Sequence, residues 1–174
     1  MTSSDDVDVK TTQTFSFFQA DEQQGEQEET LLREGVLLEP VYPESYDLSY
    51  TCLLIPRFPA HQLKGDLANY LPQWLQQVCI SFGWRLEFVN VDPGYFQWSI
   101  SVLPATPPGR FMQQIRYDTS ELILSHFGRI KQENLSNDFW APGYLVVLGT
   151  RPHPKEMVEQ YIRLTRRQQG LNTL

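Results

Sequence analysis

Two side chains on one strand and a third on a distant helix are where this sequence has the residue types for chemistry. In "DPGYFQWSISV" (92–102), Tyr95 and Gln97 stand at alternate positions, and strand alternation points both to one side. In "MVEQYIRL" (157–164), Tyr161 sits inside a helical pattern, and Thr165 follows one turn later. A tyrosine attacks an electrophilic centre only as phenolate, and a phenol of pKa about 10 is a poor nucleophile at neutral pH without help. A divalent cation is one source of such help, and two side chains on one strand could hold one only with suitable donors. Here the pair is a phenol and an amide, and hard divalent cations prefer carboxylates.

No other part of the sequence repairs that donor set. The three histidines, His61, His126 and His153, read as lying in a loop, at a helix end and in a turn, with no two spaced as a pair. Asp92, before a tight turn, and Asp118, in a helical stretch, are the carboxylates with a route to the site. Cys52 and Cys79 both lie in apolar runs without metal-ligand spacing and read as reduced core thiols.

Basic residues form the second candidate feature. Arg57, Arg116, Arg129 and Lys131 are scattered, whereas Arg151, Lys155, Arg163, Arg166 and Arg167 crowd the last 24 residues, which hold only two acids. Bases interleaved with aromatics hold single strands by charge and stacking. The plainer reading is a solvated helix end, its arginines complementing the helix dipole.

These residues must be positioned by elements whose order is readable from periodicity. "LSYTCLLI" (48–55) is a β-rich run stopped by Pro56. Leu63, Leu67, Leu71, Trp74, Leu75, Val78, Cys79 and Phe82 recur as a helical stripe, with Pro72 inside it and Gly83 as its stop. "WRLEFVNV" (84–91) and residues 95–103 are strands joined by the "DPG" turn. In the second strand Phe96, Trp98, Ile100 and Val102 form a packing face opposite Tyr95, Gln97, Ser99 and Ser101. A second helix is marked by Phe111, Met112, Ile115, Leu122 and Ile123; a polar loop (129–138), the strand "YLVVLG" (144–149) and a final helix (155–168) complete the chain. The order predicts an α+β, ferredoxin-like β-α-β-β-α-β antiparallel sheet with helices on one face plus a C-terminal helix.

At 174 residues the chain suffices for one domain with a real core. The net charge of −7 is unevenly placed: residues 1–30 hold eight acids against Lys10, and the remaining 144 residues hold 13 acids and 13 bases. Residues 1–30 therefore read as an acidic disordered tail and 31–174 as the domain. "FSFF" (15–18) is the tail's one adhesive element, a candidate protein-partner segment. No apolar signal segment or stretch of about 20 apolar residues occurs, so the expectation is a cytoplasmic protein with no membrane span.

From about Leu48 to Gln168 the chain resembles the single-tyrosine HUH transposases of small bacterial insertion sequences and their REP-associated relatives. The resemblance rests on "SYTCLLIPRF", "CISFGWRLEFVNVDPGYFQWSISVLP", "FMQQIRYDTSELI", "DFWAPGYLVVLG" and "VEQYIRL", in that order. It implies that the strand after the turn carries a His-hydrophobe-His pair binding Mg²⁺ or Mn²⁺. It also implies that a tyrosine on the last helix attacks a single-stranded DNA phosphate and that a glutamine one turn later adds a metal ligand. On this sequence the histidine positions fall on Tyr95 and Gln97, the nucleophile on Tyr161, and the glutamine on Thr165.

The resemblance thus implies a transposase-like DNA-binding protein without a metal cofactor and without cleavage. Its partner would be single-stranded or hairpin DNA, held by Arg57, Arg116, Arg151, Arg163, Arg166 and Arg167. It also implies a homodimer through residues 143–150 and the final helix. Two other readings are a protein-interaction module on the same scaffold with no DNA role, and an active transposase using Tyr161.

Overall fold

The computed structural model describes residues 48–171. The acidic stretch 1–30 and "FSFF" lie outside the described residues. The elements are β1 (Leu48–Leu54), α1 (Asp66–Phe82), β2 (Arg85–Asp92), β3 (Tyr95–Val102), α2 (Pro108–His126), α3 (Gly128–Glu133), β4 (Leu145–Leu148) and α4 (Lys155–Gln168).

Four strands form one sheet in the order β2-β3-β1-β4, and every neighbouring pair is antiparallel. β3 slots between β1 and β2, the two strands that α1 connects, which is the split βαβ arrangement expected from the element order. Strand alternation sorts the side chains into two sets. Cys52 and Leu54 of β1 join Phe96, Trp98, Ile100 and Val102 of β3 beneath α1 and α2, in a core that also holds Phe139 and Trp140. Leu53 and Ile55 point the other way, into a smaller cluster with Ala141 and with Val158, Tyr161 and Ile162 of α4. The main helices therefore cover one face, and α4 lies against the other.

All four apolar side chains of β3 are completely buried. Each contributes roughly 1.5–3 kcal/mol over an exposed position. This face dictates the register, because a one-residue slip would exchange it with the polar face.

Local sequence explains the element ends. α1 runs through Pro72, within its first two turns, and stops at Gly83, whose φ of 69° is the left-handed conformation glycine adopts at little cost. Pro108 opens α2 at a position where its missing N–H is no loss. In the "DPG" turn the Gly94 N–H donates to Asp92 Oδ1 at 2.9 Å. One stretch departs from expectation. The start of the expected polar loop 129–138 belongs to the short helix α3, which ends with Glu133 accepting from Arg129 at 2.9 Å and paired with buried His61 at 2.8 Å. These ion-pairing contacts carry no apolar periodicity, so the pattern could not reveal them.

Candidate functional site

The α4 face of the sheet assembles the residues that the sequence singled out. Tyr95 and Tyr161 pack against the same small cluster of Leu53, Ile55, Ala141 and Val158. Gln97 lies two residues along from Tyr95, opposite Leu53 of β1, and is 3% exposed. Thr165 follows Tyr161 by one helical turn and is also buried. A strand pair and a helix pair far apart in sequence thus meet on one face.

Two polar atoms here lack hydrogen-bond partners among the described residues, Gln97 Nε2 and Ser99 Oγ, while the Tyr161 phenol meets the Thr165 hydroxyl. A buried unsatisfied group costs roughly 1–3 kcal/mol. Burial pushes the Tyr161 phenol above its ordinary pKa; the Thr165 hydroxyl and the guanidinium groups of Arg116 and Arg166 pull more weakly toward ionisation. The net direction leaves the phenol protonated at neutral pH, the unreactive form.

The segment behind the phenol is built with care. Residues 139–141 continue the sheet: Arg57 N–H donates to the Phe139 carbonyl and Ala141 N–H to the Ile55 carbonyl, each at 2.8 Å. The chain then breaks at Pro142 and Gly143 before β4 resumes pairing with β1. That break strands carbonyls, and Arg116 collects them, donating to Ala141 O at 2.8 Å and to Gly143 O. Its other terminal nitrogen binds the Asp138 carboxylate. Gly143 has φ 85°, a left-handed conformation that glycine adopts at little cost, and its Cα faces Tyr161 Oη, which a Cβ there would meet at an ordinary contact distance of 3.8 Å.

The donor set does not fit a divalent cation. It comprises a phenol, an amide and a hydroxyl, all neutral at pH 7, and hard cations favour carboxylate oxygens. Neither nearby carboxylate supplements it. Asp92 is used in its turn, and Asp118 lies on α2, bonded to Gln114 at 2.9 Å and lining a groove with α1, on the other side of the sheet. The histidines are also dispersed: His61 pairs with Glu133, His126 packs against Trp74, and His153 is buried at the β4–α4 joint. No group of three or more His, Cys, Asp or Glu suited to a metal occurs among the described residues.

The six arginines proposed to contact DNA divide into two sets. Arg57, Arg116 and Arg166 are engaged inside the fold: Arg57 with Asp138 at 3.2 Å, Arg116 as above, and Arg166 with the Arg57 carbonyl at 3.0 Å. Arg151, Arg163 and Arg167 are exposed. Arg151 lines a groove of about 440 Å³ beside β4, together with Leu148, His153 and Met157. Sequence alone gave no sign of the Asp138 node, because a single acid in a polar stretch carries no pattern.

Residues 44–165 match the family model described as "Transposase IS200 like", and the chain belongs to that family. Among solved structures it is similar to a candidate transposase from Deinococcus radiodurans, with 20% identity, a TM-score of 0.62, and coverage of 74% of this chain and 98% of that one. It also overlaps a REP-associated tyrosine transposase bound to a REP hairpin, with 13% identity, a TM-score of 0.43, and coverage of 72% and 70% respectively. No curated protein matches the sequence. None of the described helices is long and apolar enough to cross a membrane.

Proposed function

We propose that this member of the IS200-like transposase family binds single-stranded or hairpin DNA without cutting it, as a regulator built on a transposase scaffold. One observation carries the proposal. The strand positions facing Tyr161 present neutral Tyr95 and Gln97, and the phenol itself is buried with its pKa raised. No metal-ligand set is there to offset a phosphate's charge, and the nearby Arg116 and Arg166 guanidinium groups are engaged with Asp138 and backbone carbonyls, so the site is poorly equipped to activate a phosphoryl centre. No metal cofactor enters this reading.

Binding rests on different residues. Arg151, Arg163 and Arg167 stand exposed on and just before α4, where backbone phosphates release counterions on contact. Homodimerisation belongs to the same reading: β4 is an edge strand whose Val147 and Leu148 are exposed, 40% and 66%.

The test is fluorescence anisotropy on labelled single-stranded and hairpin DNA across a salt series, beside a nicking assay in Mg²⁺ and Mn²⁺. The expected result is salt-sensitive binding, lost in R151E/R163E/R167E, with no nicking. Nicking abolished by Tyr161→Phe would restore the active-transposase reading. Absence of binding at low salt would instead favour a protein-interaction module.

A further inference from the structure

The helical layer carries a surface that the Tyr161 site does not use. α1 and α2 diverge to leave a groove of about 410 Å³ on the side of the sheet opposite α4. Its floor is apolar, made by Trp74, Val78 and Leu122, and Phe82 forms a lip that is 47% exposed. One wall carries Asp118 and Glu121, and no Lys or Arg lines it. The α1 side adds no base either, since that 17-residue helix contains neither lysine nor arginine.

Stacked aromatics close both ends. Tyr70, itself 42% exposed, stacks on Trp74 with ring centroids 5.4 Å apart, and Phe82 stacks on Trp84 at 4.9 Å. Exposed Tyr70 and Phe82 thus flank the buried Trp74, and with one acidic wall the groove is asymmetric in both shape and charge. Phosphate is the wrong ligand for it, because Asp118 and Glu121 repel an anion.

We infer that this groove docks a cationic amphipathic helix of a partner protein. Its aliphatic side chains would enter the channel over Trp74, Val78 and Leu122, and lysines or arginines one turn away would meet Asp118 and Glu121. Charge complementarity selects that occupant, and the apolar floor gives it affinity that charge alone does not. The inference stands independently of DNA binding, which uses the opposite face.

The test uses the full chain and three fluorescein-labelled peptides of about 18 residues, or ~27 Å of helix. One is an amphipathic Leu/Lys helix, one replaces its leucines by serine at equal charge, and one replaces its lysines by glutamate. The Leu/Lys peptide should bind at least tenfold more tightly than either comparator. D118K/E121K should weaken it at least tenfold, and the acidic stretch 1–30, unchanged in that variant, serves as an internal reference for charge-only attraction. If the double variant loses its thermal unfolding transition, E121K and F82S, both at exposed positions, decide the question in its place. Equal binding of the Leu/Lys and Ser/Lys peptides, or undiminished binding by the charge-reversed groove, would overturn the inference.

Discussion

Arg116 and Asp138 hold the loop behind Tyr161 in shape. The guanidinium binds the Asp138 carboxylate with one nitrogen and the Ala141 and Gly143 carbonyls with another, and its side chain is 14% exposed. Asp138 in turn accepts from the Trp140 N–H at 3.0 Å and from the Ser120 hydroxyl at 3.2 Å. Removing Arg116 takes the donor from the Ala141 and Gly143 carbonyls and leaves Asp138, 36% exposed, to Arg57 alone among the arginines.

Arg116→Met is therefore expected to destabilise the fold by about 2 kcal/mol, chiefly through the Ala141 and Gly143 carbonyls that lose their donor, because Asp138 is over a third exposed and Arg57 still faces it. Arg116→Lys keeps the charge but not the fork, and it should recover only part of the loss. Urea denaturation of the two variants measures both. A loss below 1 kcal/mol for Arg116→Met would show that the node is dispensable.

Tyr161→Phe tests the contact between the phenol and the Thr165 hydroxyl one turn on. Losing that hydrogen bond should lower stability by roughly 1 kcal/mol. A thermal melt that shifts upward instead would mean that the phenol hydroxyl is unsatisfied in the fold.

His153 makes stability depend on pH. It is buried with Nε2 unpaired, and burial lowers its pKa below the ordinary 6.5, against a smaller upward pull from its hydrogen bond to the Thr51 backbone. The unfolded chain thus takes up this proton at a higher pH than the folded one. Stability is full above about 6.5 and is lost as pH falls from there through the folded value. Denaturation curves between pH about 7 and about 5 should slope less steeply in His153→Gln than in the parent. Parallel curves would show that His153 titrates alike in both states.

Both cysteines should be silent in the native protein. Burial pushes the Cys79 thiol up to about 12, and burial first, then proximity to Cys79, raises Cys52 well above its ordinary value. Only the thiolate reacts, so labelling at pH about 8 should run more than ~100-fold slower before unfolding than after it in urea. Rapid modification of one thiol in the native state would contradict this packing.

The strands and long helices were legible because their periodicity is strong: the alternation around Trp98 and the stripe from Leu67 to Cys79 each have one geometric solution. Leu63 belongs to that stripe by pattern, yet it packs in the core from just ahead of α1, since burial does not require helical backbone. The candidate site was legible in part, in that Tyr95, Gln97, Tyr161 and Thr165 do share one face. What sequence could not supply was the division among the arginines. Arg57, Arg116 and Arg166 look as free as Arg163 on paper. Only the fold brings Asp138 to Arg57 and Arg116, the Ala141 and Gly143 carbonyls to Arg116, and the Arg57 carbonyl to Arg166.

Because Tyr95 and Gln97 alternate with Phe96 and Trp98, β3 belongs to two separate interiors. A replacement on the α4 side leaves the packing beneath α1 and α2 untouched, and the reverse also holds. The cost of such a replacement falls instead on the small cluster of Leu53, Ile55, Ala141 and Val158, so the two sides of one strand can vary separately.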